Sequence, residues 1–75
     1  MHIWKHIEHA LNSMSANRLK EDIPEAYFII SCITCAGEFK IMPYLESETF
    51  ELHCKLVRLD RDFVYELFSK VWEMD

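Results

Sequence analysis

The residues best equipped for chemistry are the three cysteines and four histidines. Cys32-Ile-Thr-Cys35 is a C-x-x-C, and His53-Cys54 lies on a neighbouring strand-like pattern. Zinc takes four tetrahedral ligands from thiolate and imidazole, so Cys32, Cys35, Cys54 and a histidine such as His53 are candidate ligands of a small zinc-stabilised domain. Strand geometry opposes that set. Residues three apart in an extended segment point to opposite faces, as do the adjacent His53 and Cys54. There is no second C-x-x-C, and the simpler expectation is buried thiols acting as small apolar residues, with no metal or cofactor. A thioredoxin-like role lacks the helix start after Cys32 that would lower its pKa. His2, His6 and His9 fall at i, i+4 and i+7 on one side of a first helix. Such a row can hold a metal ion or respond to acid, although scattered surface imidazoles are the plainer reading.

No nucleophile with a base, no carboxylate pair in an apolar setting and no Gly-rich phosphate loop is visible, so catalysis is not expected. The formal net charge of −5 is uneven. Residues 1–45 are nearly balanced. Residues 46–75 carry eight acids (Glu46, Glu48, Glu51, Asp60, Asp62, Glu66, Glu73, Asp75) against four bases (Lys55, Arg58, Arg61, Lys70). Without a Lys/Arg cluster, direct nucleic-acid binding is disfavoured. An acidic face fits a basic protein partner better. No secretory signal and no membrane-length apolar run is visible, and three cysteines are an odd number, so a reduced cytoplasmic setting is expected.

The elements that must position these residues follow from periodicity. Met1 to about Lys20 reads as an amphipathic helix with Ile3, Trp4, Ile7, Leu11 and Met14 on one stripe, its second half weakened by Asn12, Ser13, Ser15 and Asn17 so that fraying or a break is expected near residue 15. Ala26 to Cys35 is uncharged and rich in aromatic and β-branched residues, and predicts a central strand buried on both faces. Ala36-Gly37-Glu38 reads as a turn with Gly37 able to take positive φ. Glu38 to Leu45 reads as a second strand, blunted by Pro43 into an edge. Thr49 to Leu59 alternates cleanly (Phe50, Leu52, Cys54 and Leu56 against Glu51, His53 and Lys55) and predicts a third strand. Asp60 then caps a second helix from Arg61 to Met74, with Glu66 paired to Lys70.

The expected architecture is one α+β domain of order α-β-β-β-α, a three-stranded antiparallel meander with both helices mainly on one face. That order resembles the double-stranded-RNA-binding domain in its sequence of elements. The resemblance implies a basic cluster at the start of the last helix, where this chain has Asp60-Arg61-Asp62.

A sheet covered on one side leaves an apolar row of the central strand outside, either Tyr27, Ile29 and Ile33 or Phe28 and Ile30. The expected function is therefore a small acidic module that binds and regulates or inhibits a partner protein, itself a homodimer. Accessory proteins of phages and mobile elements share such traits. The expected contact residues are Tyr27, Ile29, Ile33, Glu46, Glu48, Glu51, Asp60 and Asp62. The zinc-stabilised domain is the second expectation, and a weak nucleic-acid binder the third.

Overall fold

Five helices and no strand account for the described residues, 3–19 and 24–74, of the computed structural model. They run in the order α1 (Ile3–Arg18), α2 (Pro24–Glu38), α3 (Met42–Leu45), α4 (Glu48–Leu56) and α5 (Arg61–Met74). The expected α-β-β-β-α meander, and the α+β class with it, is overturned. The two terminal helices lie where periodicity put them. The central strand is α2, the second strand is the end of α2 followed by a turn and α3, and the third strand is α4.

Each correction has a physical cause. Between Ala26 and Cys35 almost every side chain is apolar or small, so strand alternation and helical spacing fit equally well. Of the six buried residues, Ala26, Ile30, Ile33 and Gly37 fall at i, i+4, i+7 and i+11 with Thr34 and Ala36 beside them, which is a helix face. Pro24 opens α2 at a position where a missing N–H removes no helical hydrogen bond, and Glu25 sits in the first turn. Pro43 does the same for α3 and does not mark a sheet edge. In α4 the buried residues are Phe50 and Cys54, continued by Val57, again at helical spacing. Leu52 and Leu56, which strand alternation grouped with them, face solvent. Ser47 caps α4 by accepting from the Phe50 N–H at 3.2 Å, and Glu51 reaches Lys55 one turn on at 3.5 Å. The expected cap and pair of the last helix are both present. Asp60 Oδ1 accepts from the Asp62 N–H at 3.4 Å, and Glu66 meets Lys70 at 3.7 Å.

Helix α2 is the hub, packing against each of the other four. Its approach to α5 depends on Gly37. No glycine here has positive φ, so the conformational freedom expected of Gly37 is not used. What matters is its missing side chain. A Cβ at Gly37 would lie 2.7 Å from the Phe68 ring, and the Trp72 indole N–H donates to the Gly37 carbonyl at 2.7 Å. Phe68 is fully buried and also stacks at a tilt on Trp4 of α1, 5.4 Å between centroids.

Two further devices fix the chain. Helices α2 and α4 both end in a paired hydrogen-bond lock. Ile41 N–H donates to the Ala36 carbonyl and Lys40 N–H to Gly37, while Leu59 N–H donates to Cys54 and Arg58 N–H to Lys55. The pivots are Lys40 (φ 51°) and Arg58 (φ 61°), left-handed residues that are not glycine. The polar second half of α1 does not fray. Its Ser15 hydroxyl is buried and donates to the Val57 carbonyl at 2.7 Å, and Arg18 Nη1 donates to the Arg58 carbonyl at 3.0 Å. Both bonds satisfy carbonyls at the end of α4 that the helix itself cannot pair.

Gly37→Ala separates helix propensity from packing. Alanine favours the helix by about 1 kcal/mol, whereas crowding a filled core costs about 1–3 kcal/mol. The melting temperature should fall; a rise would show that Phe68 is free to move aside. Arg58→Gly should act in the other direction. It relieves a left-handed residue that costs roughly 1–2 kcal/mol and leaves the carbonyl bonded to Arg18 in place. Melting should rise by a few degrees, and an unchanged or lower value would mean that the Arg58 side chain contributes more than the strain removes.

Candidate protein-interaction surface

A helix that is apolar all round is normally covered all round. Helix α2 has Glu25 and Glu38 near its ends and no charge between, yet its neighbours cover only one side. The opposite side carries Phe28, Cys32, Cys35 and Phe39, spaced i, i+4, i+7 and i+11, all exposed. Phe28 is 71% exposed and Phe39, just past the helix end, 67%. These four residues form a straight apolar stripe about 16 Å long at 1.5 Å rise per residue. Tyr27 and Ser31 flank it on the side of α1, where Trp4, Lys5 and Glu8 share a shallow depression with Ser31, Cys35 and Glu38. On the other flank lies α4, whose Leu52 and Leu56 are more than half exposed.

The expected sites distribute unevenly over this frame. Ile33 is fully buried and Ile29 half-buried, so neither belongs to an exposed row; of the three only Tyr27 is exposed. The physical reason is the change of period. A strand groups residues 27, 29 and 33 on one face, whereas a helix turns them to different sides. Phe28, the alternative row's aromatic, is the residue that lies outermost. The expectation missed Phe39, because reading Ala36–Glu38 as a turn cut it from the same stripe.

The four zinc candidates are not brought together. Cys32 and Cys35 lie on the exposed stripe, Cys54 is buried beneath α4, and His53 Nδ1 is hydrogen-bonded to the Tyr44 hydroxyl at 2.8 Å. Among the described residues no three His, Cys, Asp or Glu side chains converge as a metal would require. His6 and His9 are exposed on α1, and His2 lies outside the described residues.

The acidic candidates Glu46, Glu48, Glu51, Asp60 and Asp62 are all exposed around the α3–α4–α5 corner. Bases are interleaved with them: Glu51 pairs with Lys55, and Asp62 with Arg61 at 3.3 Å. Glu46, Arg61, Asp62 and Glu66 border an open cleft of about 440 Å³ between α3 and α5. Its mixed charge gives no single-signed field for a basic partner. No described helix is long and apolar enough to cross a membrane.

Two groups under this surface have displaced titrations. Burial pushes the Cys54 thiol from 9.0 up to about 12; Arg61 opposes the shift, and Asp60 and Glu51 add to it. Burial likewise raises the Tyr44 hydroxyl from 10.0 to about 12, assisted by Cys54 and Cys32. Both shifts favour the protonated, neutral form of the group. The Tyr44–His53 bond ties α3 to α4, next to a Tyr44–Phe50 ring contact of 5.5 Å.

No protein-family model, curated protein or solved structure matches the chain.

The raised values carry a pH signature. A group that holds its proton more tightly when folded contributes stability below its unfolded pKa and loses it as pH rises towards the folded value. Melting temperature should therefore fall from about pH 9 upward, through the window between 9.0 and about 12 set by Cys54 and Tyr44. Cys54→Ala, less stable at neutral pH through its cavity, should lose less on the same alkaline titration. Parallel melting curves for the two proteins across that range would remove Cys54 as the cause.

Proposed function

We propose that the protein is a small all-helical interaction module that binds a protein surface through the outer face of α2 and acts by occupying it. The observation that carries this reading is Phe28 and Phe39, two aromatic side chains more than two-thirds exposed at the ends of one uncharged stripe. Leaving apolar surface in water is unfavourable by about 25 cal/mol per Å², and contiguous patches of this kind mark contact sites. Aromatic residues also dominate the energetics of protein contacts. The geometry fits a helix laid along a helix: a straight row at i, i+4, i+7 and i+11 is what a partner helix packs against. Regulation by binding needs no catalytic group, and the part-buried polar pair of Tyr44 with His53 ties α3 to α4. The acidic corner, with its interleaved bases, is secondary to the stripe.

Tagged protein, expressed in its own cells, tests the stripe against the acidic corner. Phe28→Glu and Phe39→Glu place charge at positions already in solvent, so the helical circular dichroism signal should be retained. Either variant should lose the proteins that wild type captures, whereas Glu48→Lys, at the corner, should keep them. Equal capture by wild type and Phe28→Glu, or loss confined to Glu48→Lys, would move the contact off α2.

A further inference from the structure

Resting on that reading, we infer that the stripe of α2 takes a second copy of itself, the two helices packed antiparallel about a two-fold axis between Ile33 and Thr34. The spacing carries the inference. Phe28, Cys32, Cys35 and Phe39 are separated by four, three and four residues, so the row reads the same in both directions. A two-fold interface requires a patch complementary to its own rotated image, and in this row the residue types are mirrored as well as the spacing, Phe–Cys–Cys–Phe. In this register Phe28 lies opposite the second copy's Phe39, and Cys32 opposite its Cys35. The large rings sit at the two ends and the small thiols at the centre. Small central residues let two helix axes approach to the close end of the usual 8–10 Å range, and the rings then close over the ends.

Charge does not oppose the arrangement: the second copy's Lys40, nearest in level to Glu25, is held over its own Trp72 ring at 5.2 Å. Glu38 lies on the α1 flank of the stripe beside Ser31 and Cys35, and helical spacing puts Glu25 on the opposite flank, so no acid opposes an acid across the pair. A helix pair of this length buries less than the roughly 800 Å² per partner of a standard interface. The dimer should therefore form at micromolar to millimolar concentration rather than below it.

The register gives the test. Sedimentation of wild type over that concentration range should pass from monomer to dimer, and Phe28→Glu should stay monomeric with an unchanged helical signal. Cys32→Ser keeps only Cys35 on the stripe, and Cys35→Ser keeps only Cys32; Cys54 is buried in both. Opposed thiols fall within disulfide reach, whereas like thiols are offset by about 4.5 Å more along the axis. An equimolar mixture of the two variants, oxidised with diamide, which takes up the two protons and two electrons that the thiols lose, should give mixed disulfide well above its statistical half share. Mixed product at or below half would overturn the antiparallel register. A wild type that stays monomeric throughout, or a Phe28→Glu protein that still dimerises, would overturn the self-pairing. Stripe-dependent capture of other proteins by a monomeric wild type would then leave the interaction surface standing with a different occupant.

Discussion

The structure depends on how closely α5 can approach α2, and that is decided at Gly37. With a hydrogen in place of a methyl, the Phe68 ring lies directly on the α2 backbone, at a distance where a Cβ would collide. The same proximity lets the Trp72 indole reach the Gly37 carbonyl and brings Lys40 over the Trp72 ring at 5.2 Å. One absent side chain thus seats a fully buried aromatic, satisfies an indole donor and fixes the angle at which the last helix leaves. Phe68 passes the constraint to α1 through Trp4, so three helices share one contact.

Around that contact the remaining helices are tied by their ends. Hydrogen bonds from Ser15 and Arg18 cap the end of α4 with the end of α1, residues 42 and 40 positions apart in sequence. Ser47 holds the start of α4, and Tyr44 reaches across to His53. A domain of 75 residues has little apolar area to bury, and the extra specification comes from helix termini that find side-chain or backbone partners.

The exposed stripe follows from the same economy of size. Helix α2 touches all four other helices, and its outer row of Phe28, Cys32, Cys35 and Phe39 stays exposed. The molecule is correspondingly flat, 36 × 29 × 17 Å. Phe28 and Phe39 remain largely in solvent on that outer side.

Sequence alone determined the two terminal helices, because their apolar positions recur at one period only. Ile7 and Leu11, and Val64, Phe68 and Val71, are fixed by helical spacing with polar residues between them. Asp60 as a cap and Glu66 with Lys70 were legible for the same local reason. It also marked Ala26–Cys35 as the stretch the fold is built on, though not as a helix. Where nearly every residue is apolar, periods of 2 and 3.6 cannot be told apart, and isoleucine and threonine favour the strand. Tertiary structure settled it, since Ala26, Ile30, Ile33 and Gly37 are buried while Phe28 and Phe39 are left largely in solvent. The same ambiguity hid the stripe, because reading a strand put Ile33 outside and separated Phe28 from Phe39. Gly37 was misread as a turn residue because its value is not conformational. It is an absence of volume opposite Phe68, 31 residues away, and only the packed structure shows what fills that space.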